Sequence, residues 1–575
     1  MRGESYTLAA MAEQTTTDTS AAATSAAAVS EAARSRPRLS GRLAALAPSA
    51  AGLVLGLLAL GPGIGPGYLL SYDMVFVPRP QFTSALLGTS GVLPRAVPSD
   101  AVVAALARAL PADVVQKLIL LAIIVLACAG AARLLSAERL PAQLAAGVLY
   151  AWNPYVAERL ILGQWALLLG YAGLPWVLAA ATRPAVRAGK RAVSLTAALV
   201  PAAVGGFAAM SISALIAGPA AILHRGTVRT RLQLTAATAV ILGVLSLPWL
   251  IPSLTRHVLT SPAGVAAFAA RADTPFGTPG SLILLGGAWN AQTVPAGYGG
   301  AGAVPWLLLA GTALAGFLLL GRGRWPGLGA GAAAGLLLAL LGTNGPGRDL
   351  LRALITAWPG FAVLRDGQQF IAPLALAEAV GFGLVVAAAL RIRRPAALAE
   401  CRPLVAASLA LVPVLFLPGL AWGAAGRLQP VQYPADWLAA RQLINSDPRP
   451  GAALLLPWGA YRRFGWNHDE ALLDPWPRLL ARDVVYNDGV QVGSLQIPPE
   501  DPRAIAISAA VTSAAPLTPV LRADGYRYVI VDAGFASPPS GGGPARPVQL
   551  PFRSRLAGCR VVFAGPGLDV YLVPG

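Results

Sequence analysis

Only three cysteines and three histidines occur in 575 residues. Cys128, Cys401 and Cys559 lie far apart with no Cys-x-x-Cys. That argues against a disulfide framework and a thiol redox pair. His224, His257 and His468 are equally scattered, with no His-x-x-His and no His-Glu-x-x-His, so the sequence indicates no all-protein zinc site. Charge is scarce too. Asp, Glu, Lys and Arg make up 12% of the chain, about half the share of a soluble domain. Acids are the scarcer sign, 26 against 44 Lys and Arg, for a formal net charge of +18.

What is abundant is apolar side chain, 55% of residues. The runs approach about 20 residues, the length that crosses a bilayer as a helix. The chain therefore reads as a polytopic membrane protein whose partner is the lipid bilayer. Its surplus arginines lie in loops between apolar runs, where they orient the chain, so nucleic acid is not an expected partner.

Hydropathy places spans near 44–63, 114–134, 140–153, 163–181, 192–207, 208–223, 231–251, 303–321, 327–343, 369–390 and 403–423, about eleven in all. Residues 1–41, rich in Ala, Ser and Thr and then basic, read as a disordered cytoplasmic tail. The first apolar run begins only near Ala44, too late for a cleaved signal peptide. With this count the clusters at Arg133 and Arg139, "TRPAVRAGKR", "HRGTVRTR", "GRGR" and "RIRRP" all fall inside, as the positive-inside rule requires. The segments 64–113, 252–302 and 344–368 then form long outer loops within a membrane region of 42–423. They are rich in Pro, Gly, Trp and Tyr, the kind of loop that carries function.

Residues 424–575 differ, with balanced charge and no span. "YPADWLAARQLI" has the pattern of an amphipathic helix, and "GAALLLPW", "YRYVIVDAG" and "CRVVFAGPGLDVYLVP" have that of strands. "ASPPSGGGPARP" reads as a loop. The expected fold is a polytopic α-helical membrane protein with a small C-terminal extracytoplasmic α/β domain, in a multi-pass chain of the cell membrane.

Asp73 in "GYLLSYDMVFVPRPQF" is the only carboxylate between Glu31 and Asp100. It is either a surface acid, solvated or paired with Arg79, or a general base beside Tyr72 at the membrane surface. In "AWNPYVAERLILGQWALLLGYAGLPW", Asn153 and Pro154 end one span and Gln164 and Trp165 open the next. Glu158 and Arg159 between them are either an internal pair or, with Gln164 and Trp165, groups for a phosphate and a sugar. In "WPGFAVLRDGQQFIAPLALAEA", Arg365, Asp366, Gln368 and Gln369 concentrate polarity where a helix enters lipid. Glu378 lies deeper, where an acid is costly unless it faces a cavity or partner. In "PWGAYRRFGWNHDE", Arg462, Trp466 and His468 combine aromatic and polar character suited to a glycan, or simply form a strand-to-loop surface.

These segments together resemble the GT-C-fold glycosyltransferases. "YDMVF", "NPYVAERLILGQWALLLGYA" and "LRDGQQF" are similar to stretches of a little-characterised membrane protein group related to them. The resemblance implies a polyprenyl-phosphate-linked sugar donor of mannose or arabinofuranose type and a glycan acceptor in the cell envelope. It implies that Asp73 is the acid of the first outer loop. Many members have two adjacent acids there; this chain has one, between Tyr72 and Met74. A divalent cation stays open as a cofactor, with none indicated by the residues. A lipid or polysaccharide transporter and a non-catalytic envelope-assembly protein are the alternatives.

Overall fold

The computed structural model describes residues 37–89, 96–183, 188–255, 260–392, 402–532, 535–536 and 552–575. The expected tail up to residue 36, the "ASPPSGGGPARP" loop beyond residue 536, His257, Cys401 and parts of the "TRPAVRAGKR" and "RIRRP" clusters lie outside the described residues.

The membrane region is a helical bundle. Its elements are α1 (Pro37–Leu60), α2 (Ala112–Leu134), α3 (Leu140–Ala151), α4 (Pro154–Ile161), α5 (Trp165–Thr182), α6 (Ala188–Gly205), α7 (Phe207–Ile222), α8 (Val228–Thr255), α9 (Ala303–Gly316), α10 (Pro326–Leu341), α11 (Gly345–Ala357), α12 (Ala372–Arg391) and α13 (Arg402–Phe416). Helix α1 begins within the expected tail. Among the described residues, six helices are long and apolar enough to cross a membrane, or up to eight if each of two bent pairs counts as one span. One bent pair is α10 and α11, which meet at 94°. The break follows from Gly342 and from Asn344, whose Oδ1 caps α11 by accepting from the Gly347 amide at 2.8 Å.

Helix α12 is central and nearly all buried, whereas α8 lies at the edge with most of its apolar face exposed. Small residues bring α12 against α9. A side chain at Gly381 would meet the Ala313 carbonyl at 2.0 Å, so the two backbones touch as small residues permit in membranes.

The C-terminal segment forms a mixed sheet. Its strands are β1 (Ala452–Leu456), β2 (Tyr461–Arg463), β3 (Ala471–Leu473), β4 (Val484–Val485), β5 (Val490–Val492), β6 (Leu495–Ile497), β7 (Tyr526–Asp532), β8 (Arg560–Ala564) and β9 (Leu568–Leu572). The main sheet runs β8-β9-β7-β1-β4. Strand β1 is central and parallel to both neighbours, with Leu454 opposite Val485 and Val529. Its "ALLL" run is buried on both faces. Leu454 and Leu456 pack with Ile507 and Val511 of the Pro502–Thr512 helix. Ala453 and Leu455 face the opposite side, in one cluster with Trp437 of α14 (Ala435–Ser446). β2 and β3 form a small antiparallel hairpin beside the sheet and reach towards the bundle.

Candidate active site

Three distant stretches meet around Asp73. The turn Ser71–Met74 closes by a bond from the Met74 amide to the Ser71 carbonyl at 2.8 Å, with Tyr72 in the left-handed region at φ 43°. On one side the Asp73 amide donates to the Leu162 carbonyl at 3.1 Å, and Ser71 Oγ donates to the Ile161 carbonyl at 2.7 Å. On the other side the Tyr72 amide donates to Ala471 at 2.7 Å and the Leu473 amide to Tyr72 at 2.8 Å. The turn thus extends the β3 edge.

The approach to α4 requires a glycine. Gly163 has φ +76°, and a Cβ there would lie 2.1 Å from the Met74 amide nitrogen. Helix α4 itself starts where the sequence predicts a break. Pro154 occupies its first turn, and Asn153 caps it by accepting from the Val156 amide at 3.1 Å.

Above the turn, Tyr461 of β2 donates its hydroxyl to Asp73 Oδ1 at 2.6 Å. Asp73 and Tyr461 open on a cavity of about 480 Å³. Gln164, Trp165, Arg365, Asp366 and Gln369 line it from the bundle, and Arg478, Tyr486, Asp488 and Glu500 line it from the C-terminal segment. Trp165 is held by Phe76, with ring centroids 5.2 Å apart. Arg365 Nη1 donates to Glu500 Oε1 at 2.9 Å and to the Ser261 carbonyl at 3.1 Å. Its guanidinium lies over the Phe268 ring at 5.5 Å. Arg478 Nε donates to Asp100 Oδ2 at 2.8 Å. Ion pairs therefore bind the C-terminal segment to the bundle across this cavity.

Arg159 sits beneath the cavity wall and is fully buried. Its fork holds Asp366, at 2.5 Å from Nη1 and 2.8 Å from Nη2. Nε donates to Gln368 Oε1 at 2.7 Å and Nη1 to Gln164 Oε1 at 2.5 Å. The residue holds the polar wall together from behind and does not line the cavity. Glu158 is buried beside it and accepts from the Ala288 amide at 3.1 Å and from Gln368 Nε2 at 3.2 Å. Burial pushes its carboxyl well above the ordinary range, and nearby Asp273 pushes it further. Burial therefore favours the uncharged form of the Glu158 carboxyl.

The other expected site residues lie elsewhere. Tyr72 is buried next to the site, its hydroxyl donating to Gln292 Oε1 at 2.6 Å. Arg79 is exposed in a proline-flanked bend and does not line the cavity. Glu378 is buried within α12, whose surroundings are other helices, and is also not in the wall. Arg462 is fully buried and pairs with Asp474 at 2.5 Å and Asp532 at 3.1 Å. It is an internal cation, not an acceptor contact. Trp466 packs against Phe464, Trp437 and Tyr433, with centroids 5.2 to 5.4 Å away, which turns it inward. His468 is exposed in a left-handed turn away from the cavity. The hairpin's alternation explains the shift. Side chains alternate along a strand, so Tyr461 reaches Asp73 while Arg462 points into the core. Arg478 and Glu500 carry no local sequence signal that would find them. Among the described residues, no three His, Cys, Asp or Glu side chains are grouped to hold a metal ion.

No protein-family model matches the sequence, and no curated protein matches it. Among solved structures, the cryo-EM structure of the arabinofuranosyltransferase AftD from Mycobacteria superposes with a TM-score of 0.56 at 19% identity. The match covers 92% of this chain and 40% of AftD, so the chain spans well under half of that protein's length. At this identity the likeness is one of fold. The chain shares, over nearly its whole length, the fold of the matched part of AftD, and its apolar helices are those of a multi-pass helical membrane protein.

Proposed function

We propose that the protein is an integral membrane glycosyltransferase that moves a sugar of mannose or arabinofuranose type from a polyprenyl-phosphate donor to a cell-envelope glycan, glycolipid or protein on the outer face. One observation carries the reading. Asp73 faces a cavity that also presents Gln164, Trp165, Arg365 and Asp366, at the junction of bundle and C-terminal segment. AftD, the similar structure, is an arabinofuranosyltransferase.

The chemistry is displacement at an anomeric carbon. An acceptor hydroxyl oxygen forms the new bond to that carbon while the bond to the donor phosphate oxygen breaks. The lipid phosphate leaves with the electron pair, and the hydroxyl proton passes to the Asp73 carboxylate. Cationic groups in the wall stabilise the charge on the leaving phosphate. Gln164, Gln369 and Trp165 have the polar and aromatic character that holds a sugar ring. Arg159 acts at one remove, by fixing Gln164 and Asp366.

Loop contacts support the outer placement of this site. Arg391 Nη2 pairs with Glu138 Oε2 at 2.6 Å, and Arg225 Nη2 donates to the Gly323 carbonyl at 2.6 Å. Loops that the positive-inside rule puts in the cytoplasm thus touch one another, while the proposed outer loops converge on Asp73 with residues 424–575.

The test is sugar transfer from polyprenyl-phosphate donors to envelope acceptors by the purified protein. Asp73→Asn is expected to lower the rate at least about 100-fold. Unchanged transfer by a folded Asp73→Asn protein would overturn Asp73 as the base. Absence of transfer from every lipid-linked donor would overturn the function.

A further inference from the structure

The C-terminal segment brings one arginine to the cavity that no motif marks. Arg478 lies in the short helix Trp476–Leu479 and lines the cavity with Asp73. Its Nε is anchored to Asp100 of the first loop at 2.8 Å. A guanidinium has five donors, and among the described residues nothing else accepts from this one. The side chain is 17% exposed, so it is reachable from the cavity. Asp100, Tyr486 and Asp73 all act on its charge, which puts it within electrostatic reach of the proposed base.

The other two arginines are engaged differently. Arg159 is fully buried, with its fork closed on Asp366, Gln164 and Gln368. Arg365 is 6% exposed and holds Glu500, the Ser261 carbonyl and the Phe268 face.

We propose that Arg478 is the anion-binding residue of the cavity and holds the donor phosphate through its two terminal nitrogens. The assignment of the phosphate to a sugar donor rests on the glycosyltransferase reading. The planar fork matches a phosphate in two-point contact. Asp100 fixes the plane of the guanidinium through Nε and leaves the Nη edge for the ligand. A phosphate held there lies on the Asp73 side of the cavity, so leaving group and base share one site. Donor binding then depends on the C-terminal segment as well as on the bundle.

The test measures binding to the full-length protein in lipid nanodiscs. The probes are undecaprenyl monophosphate, uncharged undecaprenol and inorganic phosphate. Arg478→Gln is expected to weaken undecaprenyl monophosphate binding about 10- to 100-fold and to leave undecaprenol binding unchanged. Arg478→Lys is expected to recover part of the affinity, since it keeps charge without the fork. Competition by inorganic phosphate in the wild type would assign recognition to the anion itself, and its absence to the lipid-borne phosphate; either supports the site when the Gln variant loses it.

Wild-type affinity for undecaprenyl monophosphate in a folded Arg478→Gln protein overturns the assignment. If that variant does not fold, wild-type affinity in a folded Arg478→Met protein overturns it, whereas wild-type affinity in Arg478→Lys overturns only the two-point contact. Asp73→Asn separates the two readings. If the transferase reading holds, this variant binds donor and does not transfer. Loss of binding in Arg478→Gln, with no transfer by the wild type, keeps the anion site and removes the glycosyltransferase.

Discussion

The Tyr461 hydroxyl donates to Asp73 across 2.6 Å, joining residues 388 positions apart in the chain. A carboxylate in a roomy cavity has several rotamers, and this bond selects one. Tyr461 is therefore a positioning residue for the proposed base. Tyr461→Phe should lower kcat about tenfold, the effect of one hydrogen bond to a charged group at about 1.5 kcal/mol. Donor KM should stay near wild type. The Asp73→Asn/Tyr461→Phe double variant should be no slower than Asp73→Asn alone, because Tyr461 acts through Asp73. Additive losses in steady-state transfer assays would show that Tyr461 acts independently.

Gly163 is the point where the end of α4 packs against the same turn. Its φ of +76° disfavours any side chain, and a Cβ would sit 2.1 Å from the Met74 nitrogen and 2.3 Å from the Ser71 carbonyl oxygen. Left-handed strain of about 1–2 kcal/mol adds to overpacking of about 1–3 kcal/mol. Gly163→Ala should therefore destabilise the protein by roughly 3 kcal/mol and displace Asp73 from Tyr461. Thermal unfolding in detergent checks the first effect. A transfer rate reduced at temperatures where the variant is still folded checks the second.

Asp447 gives a pH prediction away from the site. It accepts from Arg449 Nε at 2.9 Å, Tyr528 Oη at 2.8 Å and Arg527 Nε at 3.1 Å. These donors, Arg449 foremost, hold its carboxyl well below the usual carboxylate range. A depressed folded value stabilises the protein above the unfolded value of about 3.9, and the gain is lost as pH falls below that towards the folded value. Asp447→Asn should therefore unfold at lower temperature than wild type at about pH 7. The gap should narrow below about pH 4. An equal gap at about pH 7 and about pH 3, read by near-ultraviolet circular dichroism, would contradict this.

Apolar length is a compositional signal, which is why α2, α5, α8 and α12 are legible from the amino-acid order alone. Asp73 stands out in the sequence as a lone acid after an apolar run, and the structure puts it on the cavity wall. The residues that meet it there are not conspicuous in the sequence. Tyr461 and Arg478 reach the first loop from nearly 400 positions away, and no periodicity links such partners. Arg462 and Trp466 show the converse failure. A cluster of arginine and tryptophan reads the same whether it faces a glycan or the core. Only packing shows that Arg462 closes an ion network with Asp474 and Asp532 and that Trp466 stacks on Phe464.

Arg159 is the sharpest case of that ambiguity, and it is testable. As a phosphate ligand it would tolerate lysine with only a loss of donor affinity. As the buried hub seen here it would not. Its fork spans both Asp366 oxygens, and Nε holds Gln368. A single ammonium cannot reproduce that geometry. Removing one partner of a buried pair costs about 3–5 kcal/mol, because the remaining charge is stranded. Arg159→Ala should therefore lower the thermal midpoint sharply, and Arg159→Lys should fall in between. Arg159→Met/Asp366→Leu, which removes both charges, should recover much of the lost stability. A fully stable Arg159→Lys protein with weakened donor binding would return Arg159 to the cavity wall as a ligand.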